Sequence, residues 1–251
     1  MYPELDGKHA LVTGATRGFG KAIALNLARQ GVKVIVNYRR SMTEANDVVK
    51  EIKKLGGEAI ALRADIGKLS SLEKLFDKIK EEWGRLEIVV ANAAFGVPGN
   101  MMEATPKYWD ITMAASARSL LDMAKLAVPL MKDYGRIISI TSDGGQLVIP
   151  GYGVVGAAKA ALESVTRGLA YELGPKGIVV NGVLAGLANT KSARSIPGAV
   201  DVMDHAKFHT PLGRIVEPED IAKVVAFLAS EQADMICGHF VTVDGGRNIV
   251  G

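Results

Sequence analysis

Cysteine is almost absent. Cys237 stands alone in 251 residues, which excludes an internal disulfide and fits a reducing, cytoplasmic setting. No apolar run approaches the roughly 18 residues that a membrane span needs. Nothing like a signal peptide opens the chain, because Tyr2-Pro3-Glu4-Leu5-Asp6 is short and polar. A large charge of one sign is missing as well. The net charge is +3 and the pI near 8.9, with Lys and Arg alternating with Asp and Glu as on solvated helix faces. A nucleic-acid partner is therefore not expected. His9, His205, His209 and His239 show no metal-ligand spacing with one another or with Cys237, so no metal is expected.

What is present is an alternation of short apolar runs with amphipathic stretches. Forty-eight per cent apolar residues and 28 glycines fit a compact protein with many tight strand-to-helix turns. Strands are expected at 8–13, 32–37, 58–64, 86–91, 135–141, 178–184 and 239–243. Their β-branched, unalternating composition marks strands buried on both faces. Helices are expected at 20–30, 43–55, 69–83 (with Ser70 or Ser71 as cap), from Thr105-Pro106 into the 120s, from Tyr152 to about Leu173, and at 217–229. This pattern predicts an α/β fold: a doubly wound, Rossmann-type parallel sheet of about seven strands. No composition break divides residues 1–251, which read as one dinucleotide-binding and catalytic domain. The irregular stretch 185–216, with Pro197, Gly198 and Pro211, is where a substrate-covering segment would sit.

Thr13-Gly14-Ala15-Thr16-Arg17-Gly18-Phe19-Gly20 lies between the first strand and the first helix. Glycines there permit a sharp turn and let backbone amides at a helix N-terminus approach a pyrophosphate. Its alternative is a tight turn with no ligand. An acid that would bind both ribose hydroxyls is missing after strand two, where Asn37-Tyr38-Arg39-Arg40-Ser41 runs to Glu44 without one. Arg39 or Arg40 suits a 2′-phosphate, with Arg17 closing on the same group. NADPH is thus favoured over NADH; solvated arginines are the alternative.

At this point the chain resembles the short-chain dehydrogenase/reductase family over nearly its whole length. The glycine turn, Asp65-Ile66, Asn92-Ala93-Ala94, Ala185-Gly186-Leu187-Ala188-Asn189-Thr190 and Val243-Asp244-Gly245-Gly246 occur in the family's order. The resemblance implies that Asp65 and Ile66 touch the adenine. It implies that Asn92 and Ala93 line the cofactor, and that Gly186, Leu187 and Thr190 meet the nicotinamide amide and phosphates. It also implies a homotetramer built on the helices around 105–130 and 152–173 and on the C-terminal strand region.

The stretch Ser142–Lys159 carries a hydroxyl, a phenol and an ammonium. Ser142 and Lys159 hold the family's catalytic places, yet Val155 stands where the usual Tyr would be, and the nearest phenol is Tyr152. Ser116 replaces the Asn that holds a proton-relay water in many members. Residues seven apart on a helix share a face, so Tyr152 and Lys159 both reach the nicotinamide, with Tyr152 set back roughly 4.5 Å along the axis from position 155. That setback suits an enolate oxygen better than a ketone at the hydride-accepting carbon. The Tyr-x6-Lys spacing resembles the NADPH-dependent enoyl-acyl carrier protein reductase III type.

The resulting expectation is reduction of a trans-2-enoyl thioester carried by acyl carrier protein or CoA, in fatty acid biosynthesis. Tyr152 would stabilise the enolate. Lys159 would bind the ribose and lower the phenol's pKa, and Ser142 would position the carbonyl unless it is only a turn hydroxyl. Met101 and Met102 are either packing residues or the lining of an acyl pocket. Lys132 and Lys176 are expected near the rim that an acidic carrier protein approaches, or as solvated lysines. Two alternatives remain: a 3-ketoacyl or other carbonyl reductase, and a cofactor-binding scaffold without turnover.

Overall fold

A computed structural model describes residues 1–97, 99–188, 190, 194, 203 and 207–250. Seven strands pair in parallel: β1 (His9–Val12), β2 (Lys33–Tyr38), β3 (Ala59–Arg63), β4 (Ile88–Ala91), β5 (Gly135–Ser142), β6 (Ile178–Ala185) and β7 (Phe240–Val243). Their order is β3-β2-β1-β4-β5-β6-β7, so the chain reverses direction across the sheet between β1 and β4. In such sheets the crevice beyond the carboxyl ends of the strands at that reversal is the natural ligand site.

The absence of alternation in the strands follows from cover on both sides. Ala10 and Val12 of β1 pack with α1 (Gly18–Arg29), α2 (Met42–Lys54) and α7 (Pro218–Ala229). Leu11, between them, points into the opposite core with α3 (Leu69–Glu82), α5 (Ser119–Ala127) and α6 (Gly153–Leu173). Each successive side chain changes face, and each face is apolar.

One helix expectation is refined and one corrected. The helix beginning at Thr105, whose hydroxyl accepts from the Tyr108 amide at 3.2 Å, runs into the 120s as expected but changes pitch on the way. It comprises α4 (Pro106–Met113), a π turn at Ala114–Arg118 and then α5. Such single π turns recur at functional sites, and this one presents Ser116. Neither Ser70 nor Ser71 caps α3; Lys68 occupies that position, and the Ser71 hydroxyl instead accepts from the Asp65 amide at 2.9 Å. The serine thus holds the end of β3 and not the helix.

No helix among the described residues is long and apolar enough to cross a membrane. Part of the segment expected to cover substrate lies outside the described residues, Asn189, Pro197, Gly198 and His205 among it.

Candidate active site

The glycine turn closes by steric necessity. Gly14 and Gly18 have φ of +62° and +53°, which side-chain-bearing residues rarely adopt, and a Cβ on Gly20 would overlap the Gly14 carbonyl. Asn92 braces the turn from β4: its Nδ2 donates to the Thr13 carbonyl at 2.8 Å, while the amides of Asn92 and Ala93 donate to Thr13 Oγ1 at 3.0 Å. Asn37 accepts from the Gly14 amide and donates to the carbonyls of Leu62 and Ala64, so it is bound into the sheet. Arg17 is exposed just before α1, Thr16 and Phe19 are half-buried, and Ile66 is buried. The side chain of Thr190 lies against Gly18, 3.7 Å from where a Cβ would stand. That contact joins the 186–190 motif to the glycine turn. Gly186 donates to Val243 at 3.0 Å and the Leu187 carbonyl accepts from Val216 at 3.1 Å, fixing that motif between β6 and β7.

At the carboxyl ends of β2 and β3 a cleft of about 390 Å³ is lined by Arg39, Arg40, Arg63, Ala64, Asp65, Lys68 and Ser71. Four cations face one carboxylate there, a chemistry suited to a phosphate. Arg63 and Lys68 went unrecognised in the sequence. The parallel register could have revealed Arg63, because the last residue of β3 lies beside Tyr38, the last of β2. Arg63 Nε donates to the Arg39 carbonyl at 3.1 Å, and the Arg39 guanidinium sits 5.7 Å from the Phe95 ring centre. The small-residue cradle and this basic cleft fit a phosphorylated dinucleotide, with Gly14–Gly20 at the pyrophosphate and the cations at a 2′-phosphate.

The catalytic candidates converge differently from the helical expectation. Tyr152 is not in the helix: with φ −110° and ψ 7° it caps α6, following Gly151 at φ +73°. Its ring lies on the bare Cα of Gly144, where a Cβ would overlap it. The phenol thereby comes 3.3 Å from Ser142 Oγ. As the N-cap, Tyr152 still accepts the first helical bond at its carbonyl, from the Gly156 amide at 2.6 Å, but its side chain leaves a residue with non-helical dihedrals. Val155 fills the neighbouring space, and a Cβ on Gly96 would overlap its Cγ2. Ser116 is occupied: its hydroxyl accepts from the Phe95 amide at 3.2 Å and donates to the Phe95 carbonyl at 3.1 Å. Tyr108 binds Val97 through the same segment, so residues 95–97 are held from two sides.

Lys159 is buried, and its Nζ donates to the Ile140 carbonyl at 2.7 Å. Burial pulls the ammonium down to about 8, opposed by the charge of Glu163. The expected lowering of the Tyr152 phenol by Lys159 is not found. Burial pushes that phenol up, aided by Asp143 and Tyr108, while the Ser142 hydrogen bond pulls the other way. Asp143 is raised by burial and accepts from Asn248 Nδ2 at 3.2 Å. Exposed Val97, Met101, Met102, Leu147 and Val148 follow in sequence the segments that bear these groups.

Lys132 and Lys176 do not border this site. Each shortly precedes a strand, β5 or β6, and so stands at the end of the parallel sheet opposite the ends that carry Ser142 and Gly186. Among the described residues no group of three or more His, Cys, Asp and Glu is placed to hold a metal.

A family model described as enoyl-(acyl carrier protein) reductase matches residues 14–248. Among curated relatives, a probable tetrahydroxynaphthalene reductase of Zymoseptoria tritici is 40% identical over 96% of this chain and 94% of its own. Versicolorin reductase stcU of Emericella nidulans is 38% identical over 96% of both chains. The crystal structure of the angucycline C-6 ketoreductase LanV with bound NADP superposes with a TM-score of 0.90 at 36% identity, covering 98% of this chain and 97% of that one. LanV has also been solved with NADP and rabelomycin.

These relatives correct the expected reaction. The family description carries the enoyl reductase name, but the individual relatives are a probable tetrahydroxynaphthalene reductase, a versicolorin reductase and, in LanV, a ketoreductase. The enoyl thioester assignment, with its acyl carrier protein and its place in fatty acid biosynthesis, gives way to the carbonyl reductase alternative. The NADP in LanV agrees with the cofactor read from the arginines after β2. Matched from the glycine turn almost to its last residue, the chain belongs to the short-chain dehydrogenase/reductase family.

Proposed function

We propose that the protein is an NADPH-dependent carbonyl reductase acting on a ketone of a fused-ring, phenolic compound. The observation that carries this reading is the 3.3 Å approach of the Tyr152 phenol to Ser142 Oγ. Two hydroxyls that close together address a single oxygen, which is what a carbonyl requires when hydride and proton arrive at adjacent atoms. Tetrahydroxynaphthalene, versicolorin and angucycline in the relatives' names support a flat aromatic substrate. The exposed apolar side chains of Val97, Met101, Leu147 and Val148 support it too.

Bound, the cofactor supplies the hydride. Gly14, Gly18 and Gly20 would admit its pyrophosphate to the turn, and Arg17, Arg39, Arg40 and Arg63 would hold its 2′-phosphate. Asp65 and Ile66 would contact the adenine. Gly186, Leu187 and Thr190 would contact the nicotinamide end, beside Asn92 and Ala93. Ser142 donates a hydrogen bond to the substrate oxygen, and Tyr152 gives that oxygen its phenolic proton. Burial keeps the phenol protonated, as an acid needs to be. Lys159 has three N–H donors and spends one on Ile140, leaving two directions for the nicotinamide ribose. A homotetramer through α4, α5 and α6 belongs to the same reading, supported by exposed Trp109, Ile111 and Tyr171, and sedimentation tests it.

NADPH oxidation with a hydroxylated fused-ring ketone tests the reaction, with the alcohol identified by mass. Turnover of such ketones supports it. Inert protein across a ketone panel, with NADPH still bound, would favour the scaffold alternative.

A further inference from the structure

Glu163 is 4% exposed, an uncommon place for a carboxylate, which is costly to bury without partners. It lies on α6 one turn beyond Lys159. Its Oε1 accepts from Thr141 Oγ1 at 2.8 Å, and its Oε2 from Gln146 Nε2 at 3.3 Å. Thr141 precedes Ser142 on β5, and Gln146 follows the turn Asp143–Gly145. Gly145 packs so close that a Cβ there would stand 2.5 Å from Oε1. The carboxylate therefore fastens both sides of the Ser142 turn to the helix that carries Lys159.

Lys159 is buried too, and its one hydrogen-bond partner among the described residues is the neutral carbonyl of Ile140. The elements packed against α6 bring other charged groups. Arg118 of the π turn and Asp122 of α5 pair with each other at 3.3 Å. Lys107 and Asp110 of α4 and Lys125 of α5 are exposed. Asp143 and Tyr108 act on Tyr152, whereas the charge acting on Lys159 is Glu163.

We propose that Glu163 is a positioning residue of the reaction: its buried carboxylate keeps Lys159 charged beside the nicotinamide ribose and holds the Ser142 turn against α6. The proposal rests on the role given to Lys159 above. It is separable from the substrate assignment, because cofactor affinity can be read without any substrate.

The test is the pH dependence of NADPH affinity, from nicotinamide fluorescence, alongside that of kcat. Glu163→Gln keeps the shape and removes the charge. Its alkaline limb should fall to lower pH by about one unit in both quantities, the low end of the range for loss of an opposite charge, here one helical turn away. Glu163→Asp keeps the charge but withdraws it from Thr141 and Gln146; it should lower kcat while leaving the limb of NADPH affinity in place. A Glu163→Gln variant weakened equally at every pH, or with an unmoved limb, overturns the proposal. If that variant does not fold, Glu163→Asp decides alone, and a limb displaced by a unit there overturns it.

Discussion

The hydroxyls of Tyr152 and Ser142 stand 3.3 Å apart across ten residues of chain, one at the cap of α6 and the other at the end of β5. Gly144 makes this possible by giving the phenol ring a bare Cα to lie on. Tyr152→Phe should lower kcat by about 10²–10⁴, the usual worth of a placed general acid. Ser142→Ala should lower it less, with NADPH affinity unchanged in both. Steady-state kinetics and fluorescence titration check this. A Tyr152→Phe enzyme at full activity would place the proton donor elsewhere.

Arg39, Arg40 and Arg63 line the basic cleft proposed to take the 2′-phosphate. Hydrogen bonds to charged groups are worth about 1.5–3 kcal/mol, so Arg39→Ala should weaken NADPH about 10- to 100-fold and leave NADH nearly untouched. Arg63→Ala should act in the same direction and less strongly, because its Nε is already engaged by the Arg39 carbonyl. Dissociation constants for both cofactors test this. Equal losses for NADH and NADPH would remove the 2′-phosphate from the account.

Val155 occupies the space that a side chain on Gly96 would need. Gly96→Ala should therefore destabilise the protein by about 1–3 kcal/mol, as overpacking does. Val155→Ala in the same chain should recover most of that loss. Urea denaturation of the two single variants and the double variant measures the coupling. Additive effects would show that the two residues do not meet.

His9 is buried beside Glu87, its Nδ1 3.1 Å from a carboxylate oxygen, and burial holds its pKa below 6.5 despite that neighbour. With the folded pKa depressed, its contribution to stability is present above the unfolded value of about 6.5 and is lost as pH falls through the folded one. His9→Gln should remove this dependence. Thermal melts of the two proteins should converge as pH falls below about 6.5. Curves that stay parallel would mean that His9 is charged in the fold.

The strands and most helices were legible because burial on both faces leaves β-branched runs, and because Gly and Pro punctuate their ends. The glycine turn and the arginines after β2 were legible for a similar reason, since each lies within one short stretch of chain. What escaped depended on contacts between distant stretches. Arg63 reaches the basic cleft only through the register of β2 with β3. Ser71 serves Asp65 instead of capping α3. The larger misreading was of Tyr152. Spacing along a helix fixes a face only for residues inside the helix, and Gly151 turns the chain so that Tyr152 stays just outside it. The geometric argument for an enolate assumed helical dihedrals at this one residue, which does not have them.

The site of hydride delivery tests the account most directly. A fused-ring α,β-unsaturated ketone offers both candidate carbons in one molecule. Reduction with NADPH deuterated at the transferred position of C4 marks the carbon that is attacked. The account predicts deuterium on the carbinol carbon bearing the new hydroxyl, with the double bond intact. Deuterium at the β-carbon of a saturated ketone would contradict it.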